Sequence, residues 1–296
     1  MRDAARGVGL VFSMAVRPRG RGEALLTLAL PDGRVLFGLA LGEAKIDAAG
    51  FRVGGFRLNW RPLRLEIDAD VAPHEAAAFP PGPLPLLLAP ATVRLRGALA
   101  LDPTTPAVDF CEALTPEVRA WLSGLGSHHV EQSGRWHGTL DVGGQTLPFD
   151  GRGSRDHSWG RRNWESADHW RLFMAPISDR LAVHALIVSA EGRLVTGGFL
   201  WRDGRTELVS RVEYAAERDA HGRPRSFELE LSTPSGPLRL HGRIEQTITI
   251  PVDLERRLWR HLAGKPYRLL LHENFTRYEV DGAVGYGMAE FTERPR

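Results

Sequence analysis

The chain has little cysteine and little lysine, and both shortages exclude classes of protein. Cys111 is the only cysteine among 296 residues, so neither an intrachain disulfide framework nor a thiolate metal site can form. Lys45 and Lys265 are the only lysines, and the arginines are spread along the chain near acidic residues, with a formal net charge of +2. Such a spread does not indicate a phosphate-binding stripe, so we expect no nucleic-acid partner.

Long apolar runs and the common nucleotide or nucleophile motifs are also missing. No segment reaches the ~20 apolar residues of a membrane-spanning helix, so we expect no stable membrane insertion. The apolar run 7–16 is flanked by arginines and lacks a small-x-small cleavage site, which predicts the first strand of a cytoplasmic protein. No Rossmann or P-loop glycine pattern follows a strand, and no Gly-x-Ser-x-Gly elbow is present.

Most of the sequence consists of short apolar runs separated by turn residues, which is typical of antiparallel sheet. Pro31-Asp32-Gly33 is one such turn, because proline presets φ and glycine accepts a positive φ. The predicted strands are 7–16, 24–30, 35–41, 51–59, 63–67, 92–101, 130–140, 146–149, 170–175, 181–190, 193–201, 206–214, 226–232, 238–250, 267–280 and 284–292. Two short helices are predicted, at 115–124 and 252–263, and the proline-rich stretch 73–90 is expected to be a surface connection.

These strands predict an all-β fold, because turns every ~8–12 residues favour sandwiches or barrels over a parallel α/β sheet. The length allows two domains of about 150 residues, and we place them at 1–148 and 149–296. Each half ends in a similar order, with a short helix, a long strand and a Gly-x-Gly strand. This similar order of elements in the two halves favours two stacked or fused barrels of one kind.

The segment 151–164, near the midpoint, is the most unusual stretch of the chain. It contains four Arg, one Asp, one His, two Trp and three Gly within fourteen residues. Charged groups beside large aromatic rings, with glycines that allow close backbone approach, indicate a functional site or a structural latch.

Two motifs give the sequence a family resemblance. Gly-x-Gly-x-Arg-Asp-His-Ser-Trp-Gly-x-Arg at 151–162, with Asn-Phe-Thr-Arg-Tyr-Glu-x-Asp-Gly-x-x-Gly-Tyr-Gly-x-x-Glu at 274–290, resembles the AttH-like and hydroxyneurosporene synthase (carotenoid 1,2-hydratase) group. The resemblance implies two lipocalin-like (calycin) antiparallel β-barrels, the second containing the Arg-Asp-His-Ser-Trp-Gly motif. Residues 1–110 match only in general character, so the first barrel is expected to be incomplete or more open.

The resemblance also implies a reaction class. Members of the group hydrate, cyclise or isomerise hydrophobic isoprenoid or polyketide substrates, without a metal or an organic cofactor. On that basis the predicted catalytic residues are Asp156 and His157, acting as a proton-transfer pair. The residues predicted to contact the substrate are Trp159, Trp164, Trp170, Met174, His184, His272, Asn274 and Tyr278.

The roles of the central motif remain open at the sequence level. In an extended strand Asp156 and His157 face opposite sides, so only one of them points into a given cavity. Neighbouring arginines favour Asp156 as a paired carboxylate and His157 as the proton-transfer group. Alternatively the motif is a latch between barrels, in which Arg155 pairs with a distant carboxylate such as Glu290.

Other candidate residues carry weaker signals. His184 lies in an apolar strand, where a core histidine is the more common role, and the polar face of 270–278 fits a cavity wall or a solvated face. His128 and His129 are expected at the surface, because no third ligand is evident at metal-binding spacing.

The sequence therefore predicts an enzyme of the acid–base hydratase, cyclase or isomerase class, with a hydrophobic small molecule as its partner. The alternatives are a lipid carrier with the same barrels and no chemistry, and an interaction protein whose barrels are filled. The oligomeric state stays open.

Overall fold

The computed structural model describes residues 1–75, 88–112, 119, 127–160, 167–190, 192–220, 223–250 and 270–293. In these ranges the regular elements are antiparallel strands and one short 3-10 turn, Pro18–Gly20, and only Leu88 and Arg119 have α-helical backbone, which confirms the all-β prediction. The predicted helix at 252–263, and the one at 115–124 apart from Arg119, lie outside the described residues. Among the described residues, no helix has the length and apolarity needed to cross a membrane.

Contacts divide the chain into two units. Unit 1 comprises Met1–Asp102 and Arg135–Arg152, and unit 2 comprises Pro103–Gly134 and Gly153–Arg296. Two long strands, β11 and β12, each contribute one end to either unit. The sequence boundary at 148/149 stays a prediction.

Unit 1 contains a closed barrel. The strands of the first half of the chain are β1 (Arg2–Asp3), β2 (Val8–Arg17), β3 (Arg21–Ala29), β4 (Arg34–Glu43), β5 (Lys45–Ile46), β6 (Gly50–Val53), β7 (Phe56–Trp60), β8 (Leu63–Glu75), β9 (Val93–Pro103), β10 (Val108–Asp109), β11 (His128–Val142) and β12 (Gln145–Trp159). Hydrogen-bonded neighbours run β11-β12-β1-β2-β3-β4-β8, and β9 pairs with both β8 and β11. This ring of eight strands is complete, so the expectation of an incomplete first barrel is wrong.

The barrel is formed by alternation of apolar side chains along its strands. Leu10, Leu26, Leu65, Leu99 and Phe149 come from five different strands, and each is at most 2% exposed. They belong to one cluster that fills the barrel interior. Burying each such side chain contributes about 1.5–3 kcal/mol, which is why the period-2 pattern alone locates the inner face.

Unit 2 contains a curled sheet. Its strands are β13 (His169–Pro176), β14 (Leu181–Ala190), β15 (Arg193–Arg202), β16 (Arg205–Val209), β17 (Arg211–Arg218), β18 (Pro224–Thr233), β19 (Gly236–Ile250), β20 (Leu270–Val280) and β21 (Ala283–Glu293). They are ordered β16-β15-β14-β13-β21-β20-β19-β18-β17. The predicted run 181–190 coincides with β14.

The two faces of this sheet carry separate apolar clusters. On the inner face, the rings of Phe173, Tyr214, Phe227 and Phe291 have centroids 5.2–6.0 Å apart. Their strands are not all neighbours in the sheet, so the sheet must curl with this face inside. On the outer face a second cluster includes Trp170 and also Phe110, the residue that follows β10.

Three sequence expectations need correction. The predicted strand 51–59 is a hairpin of β6 and β7, because Gly54 with φ of 56° reverses the chain. The run 206–214 forms β16 and β17, which lie at opposite ends of the sheet order. Pro73 belongs to β8 and pairs with Leu36, whereas 76–87 lies outside the described residues.

Two glycines allow β9 and β11 to approach closely where the barrel closes. A Cβ on Gly97 would lie 2.1 Å from the Thr139 carbonyl oxygen, and one on Gly138 would lie 2.0 Å from that of Ala98. Their φ angles of 140° and 154° also disfavour side chains. Closure therefore depends on glycine at both positions.

We expect Gly97→Ala or Gly138→Ala to lower the free energy of unfolding by about 2 kcal/mol or more, because backbone would have to move apart. Urea denaturation followed by circular dichroism measures this change. Gly42→Ala is the matched control, since its Cβ would meet nothing within 4 Å. Equal stability of all three variants would contradict a role for glycine in closure.

Candidate functional site

The central motif is the second half of strand β12, and alternation divides its side chains between two faces. On one face, Ser154 Oγ lies 2.9 Å from Ser133 Oγ, and Asp156 Oδ2 lies 2.9 Å from His129 Nε2. His157 points to the other face, where its ring centroid is 5.0 Å from that of Trp159. The structure therefore does not bring Asp156 and His157 together on one face.

Asp156 is part of a group of four ionisable side chains, which we term the imidazole–carboxylate cluster: His129, Glu131, Asp156 and His184. His129 Nε2 lies 3.0 Å from Glu131 Oε1 and 2.9 Å from Asp156 Oδ2. His184 Nδ1 lies 3.3 Å from Glu131 Oε2. All four residues belong to unit 2.

The residues of this cluster come from three strands in unit 2: β11 contributes His129 and Glu131, β12 contributes Asp156, and β14 contributes His184. The period-2 pattern of β11 points His129, Glu131 and Ser133 to the same side, toward the outer face of the curled sheet. His184 comes from β14 in that sheet, and its Nε2 lies 2.8 Å from Ser133 Oγ. Glu131 and His184 have no exposed side-chain area, whereas Asp156 is 40% exposed.

Aromatic rings border the two imidazoles. Phe199 stacks on His184 with ring centroids 4.6 Å apart and an interplanar angle of 12°. Phe110 lies 6.0 Å from both His129 and Phe199. These apolar neighbours keep water away from one side of the cluster, which strengthens its electrostatic interactions.

His129 is strongly affected by the carboxylates. Burial by itself would lower the pKa of His129, but the charges of Asp156 and Glu131 outweigh it and raise this pKa well above its usual value. In contrast, burial and the nearby charge of Arg155 lower the pKa of His157. These opposite shifts favour a protonated His129 and a neutral His157 at neutral pH.

A carboxyl pair, Glu273 and Glu290, lies on the same outer face of the sheet. The two residues are directly opposite each other on β20 and β21. Burial and repulsion from Glu290 raise the pKa of Glu273 well above its usual value. Burial also raises the pKa of Glu290 to about 7, and the negative charges of Asp156 and Glu131 act in the same direction.

Trp170 fixes the position of Glu290. Its indole Nε1 donates a hydrogen bond to Glu290 Oε1, which partly offsets the rise in the pKa of Glu290. Trp170 is 6% exposed and belongs to the outer-face apolar cluster. This hydrogen bond joins a residue predicted to contact the substrate, Trp170, to one predicted for the latch, Glu290, and both roles stay predictions.

The latch prediction concerned Arg155 and Glu290, and no ion pair joins them in the described part of the chain. Arg155 Nε donates to Gln132 Oε1 at 2.8 Å, and burial lowers the pKa of Arg155. On the same face Trp159 stacks on His128 with centroids 4.5 Å apart, and Trp159 is 44% exposed.

The remaining predicted contact residues lie in several environments. Trp164 is outside the described residues, and Met174 is partly buried against the outer-face cluster. Asn274 donates to the backbone oxygens of His272 and Ala289 at 3.1 and 2.7 Å. Tyr278 is fully buried and donates to the Met288 carbonyl oxygen at 2.8 Å, so its hydroxyl is satisfied inside the protein.

His272 completes the predicted set. Its Nδ1 lies 2.9 Å from Thr249 Oγ1 on the neighbouring strand β19. The substrate-contact roles of His272, Asn274 and Tyr278 stay predictions.

Sequence reasoning missed His129, Glu131 and Glu273. His129 was expected at the surface, but its side chain is only 24% exposed and lies between two carboxylates. The sequence did contain a signal for this group, because His129, Glu131 and Ser133 occupy every second position of a strand and therefore face the same side. Glu273 gave no such signal, since only pairing with β21 places it opposite Glu290.

A cavity of about 500 Å³ lies on the inner face of the curled sheet. Its lining mixes apolar and charged side chains, including Arg171, Ile187, Arg211, Val212 and Tyr214, and Arg211 pairs with Glu213 of the same lining at 2.9 Å. The Arg171 guanidinium lies 5.0 Å from the Tyr214 ring centroid. Alternation along β13 places Arg171 and Trp170 on opposite faces, so this cavity and the carboxyl pair lie on opposite sides of the sheet.

The pKa of Glu290 predicts a pH-dependent stability. The folded protein holds this proton up to about pH 7, whereas an unfolded chain releases it near pH 4.3. The contribution to stability is therefore fully present below pH 4.3 and is lost as the pH rises through 7. We expect Glu290→Gln, measured by urea denaturation, to gain about 1–3 kcal/mol relative to wild type between pH 5 and pH 8.

The titratable groups that influence the pKa of Glu290 are Asp156, His129 and Glu131, and Glu290 in turn raises the pKa of Glu273. All four are retained in Glu290→Gln, so the difference between the two proteins isolates the one carboxyl group to first order. Parallel pH profiles for wild type and variant would contradict a raised pKa at Glu290.

Comparisons with known proteins agree with the fold. Among solved structures, a protein from Nitrosomonas europaea that is provisionally described as an AttH protein superposes with a TM-score of 0.63. It is 16% identical, and the match covers 98% of this chain and 87% of that one. This likeness supports the AttH-like fold, whereas the finer resemblance to hydroxyneurosporene synthase remains unconfirmed.

A comparison with curated proteins finds no match. A family model described as "Domain of unknown function (DUF7064)" matches residues 1–295. Because this match covers nearly the whole sequence, the chain belongs to the DUF7064 family.

Proposed function

We propose that this protein is an acid–base catalyst that hydrates, cyclises or isomerises a hydrophobic substrate of the isoprenoid or polyketide class. The observation that carries the proposal is Glu290, a carboxyl group with a pKa of about 7 held by the Trp170 indole. Perturbed carboxyl groups of this kind are characteristic of proton-transfer sites, because ordinary surface carboxyls ionise near pH 4. The AttH-like fold is compatible with such a substrate.

Protonation of a carbon–carbon double bond requires an acid that still holds its proton at neutral pH. In the proposed step the O–H bond of Glu290 breaks, a C–H bond forms on the substrate, and a carbocation remains on the adjacent carbon. Attack by a second double bond closes a ring and moves the positive charge to another carbon, and the cation is finally quenched by addition of water or by loss of a proton from an adjacent carbon. Added water and the adjacent carbon each release one proton, which reloads Glu290, so the overall reaction needs no oxidant or reductant.

The surroundings of Glu290 suit this step. The Trp170 indole N–H stabilises the carboxylate that forms, and the aromatic face of Trp170 offers cation–π stabilisation to a carbocation. Burial and the charges of Asp156 and Glu131 keep the pKa of Glu290 high, and the charge of Glu290 in turn raises the pKa of Glu273 beside it. The neighbouring residues thus allow Glu290 to hold a proton that it can donate at neutral pH.

This proposal changes the roles predicted from the sequence. Asp156 is held as a carboxylate by His129, so we assign it to positioning and charge balance beside the donor. His157 points to the other face of β12, and its role as a proton-transfer group stays a prediction.

The experiment is deuterium incorporation from D₂O into a panel of acyclic isoprenoid polyenes, followed by mass spectrometry. We expect Glu290→Gln to reduce incorporation by about 10²–10⁴-fold, the usual contribution of a general acid. His157→Ala separates the two assignments, because it should retain incorporation if proton transfer takes place at Glu290.

Glu228→Gln is the matched control, since Glu228 is an exposed carboxylate beside His241. Full incorporation by Glu290→Gln would contradict the assignment of the donor. Absence of incorporation by wild type across the panel would contradict the isoprenoid reaction class.

A second candidate function, binding of an apolar anion without chemistry, is favoured by the inner-face cavity. Its volume of about 500 Å³ is within the usual range for small-molecule pockets. Arg171 and Arg211 would face an anionic group, while Ile187 and Val212 would contact an apolar chain.

The probe for this candidate is anilinonaphthalene sulfonate, an apolar anion whose fluorescence rises when it is buried. We expect one dye to bind per chain and Ile187→Trp, which fills the cavity, to weaken binding at least about tenfold. Leu208→Trp is the control because Leu208 is 50% exposed outside the cavity. Dye binding that Ile187→Trp leaves unchanged would contradict this candidate.

A further inference from the structure

We propose that His129 Nε2, Glu131 and Asp156 bind one divalent transition-metal ion, with His184 as a neighbour of Glu131 and not a ligand. The resemblance stated from the sequence implies chemistry without a metal, so this inference departs from it. It is independent of the proposed activity, because metal binding is measured without a substrate.

The spacing of the donor atoms is that of ligands around one ion. One nitrogen or oxygen atom from each of His129, Glu131 and Asp156 lies within 4.8 Å of the others. The closest nitrogen–oxygen separations are 2.9 and 3.0 Å at His129, and 3.3 Å between His184 and Glu131. Ligands at about 2.0–2.2 Å from zinc in tetrahedral or octahedral arrangements are separated by similar distances.

Hydrogen bonds do not explain these short separations between imidazole nitrogen and carboxylate oxygen atoms. Both carboxylate oxygens of Glu131, the Nε2 atom of His129 and the Nδ1 atom of His184 are buried, and none has a hydrogen-bond partner of acceptable geometry among the described residues. A single imidazole N–H also cannot donate fully to two carboxylates. A carboxylate without exposed area and without a donor is costly, whereas coordination to a cation removes that cost.

Charge balance leads to the same conclusion. With His129 neutral, as metal ligation requires, the carboxylates of Glu131 and Asp156 carry two negative charges. One divalent ion neutralises them. A protonated His129 without metal is the competing explanation, but it supplies one positive charge and leaves Glu131 Oε2 beside His184 without a donor.

His184 lies beside Glu131 and helps to hold it in place. Its Nε2 lies 2.8 Å from Ser133 Oγ, and its Nδ1 lies 3.3 Å from Glu131 Oε2. Ser133 Oγ lies 2.9 Å from Ser154 Oγ, and stacking on Phe199 fixes the plane of the imidazole ring. Residues that contact metal ligands from outside usually orient them in this way.

The donor set indicates the class of metal. Imidazole nitrogen with carboxylate oxygen suits Zn²⁺, Mn²⁺, Fe²⁺ or Co²⁺, whereas Mg²⁺ and Ca²⁺ favour oxygen alone. Three protein ligands leave a coordination position for water or another small ligand. His129 is 24% exposed and Asp156 is 40% exposed, so an ion can reach the cluster from solvent.

The cation and the carboxyl pair are compatible. A divalent ion would offset the negative charges of Glu131 and Asp156, which are the smaller causes of the raised pKa of Glu290. Burial is the largest cause and is unaffected. Failure of one proposal therefore leaves the other standing.

The test uses the tag-free full chain, stripped with a chelator and titrated with Co²⁺, whose visible d–d absorption reports ligand number and type. Competition with Zn²⁺ then gives the affinity. We expect one ion per chain with an absorption typical of nitrogen and oxygen ligands. Glu131→Gln, which keeps the side-chain shape, should weaken binding about 100-fold.

Asp156→Asn is the second variant, because its partly exposed side chain makes misfolding less of a concern. It should weaken binding at least about tenfold. Glu228→Gln is the matched control, since it removes the carboxylate of an exposed His241–Glu228 pair with an Nδ1–Oε1 distance of 2.7 Å.

Stoichiometric binding that Glu131→Gln and Asp156→Asn both weaken, and Glu228→Gln does not, supports the site. Absence of Co²⁺ absorption in folded wild-type protein at 1:1 metal would overturn it, as would binding that Asp156→Asn leaves unchanged. In that case His129 is the cation that the carboxylates hold.

Discussion

The constraint on which unit 2 depends is the burial of several carboxyl groups on one face of a curled sheet. Glu131 has no exposed area, and Glu273 is 6% exposed. A buried carboxylate is stable only if it is protonated, paired with a cation or supplied with hydrogen-bond donors. Each buried carboxyl group in this region must therefore be protonated, paired with a cation or hydrogen-bonded, and its neighbouring residues decide which of these applies.

The protein meets the constraint in two ways that differ physically. At Glu273 and Glu290 the carboxyls come from directly opposite positions of neighbouring strands, so mutual repulsion adds to burial and favours the protonated form. At Glu131 and Asp156 the neighbours are imidazoles, which accept either a proton or a metal ion between themselves and the carboxylates. One arrangement stores a proton, and the other is suited to a cation.

The two arrangements share a protein environment that limits water. Phe110, Trp170 and Phe199 belong to the outer-face apolar cluster, and they border the ionisable groups. A low local dielectric increases both the repulsion between carboxyls and the attraction between a carboxylate and a cation. The apolar cluster therefore amplifies the chemistry of the polar one, in addition to stabilising the fold.

The inner face of the same sheet has a different character. There the aromatic rings of Phe173, Phe227 and Phe291 form the core, and a cavity with Arg171 in its wall opens beside them. A period of two residues separates the two faces completely, so one strand such as β13 contributes Trp170 to one and Arg171 to the other. A single sheet thus supports two chemically distinct surfaces.

The sequence by itself determined the all-β architecture and most strand positions, because alternation and turn residues act over short distances. It also determined that Asp156 and His157 point to opposite sides if the segment is extended. Only the tertiary structure decided that the first barrel closes, that Glu273 faces Glu290, and that His129 lies between Glu131 and Asp156. These features depend on pairing and packing between residues distant in sequence, whose separations no local pattern encodes.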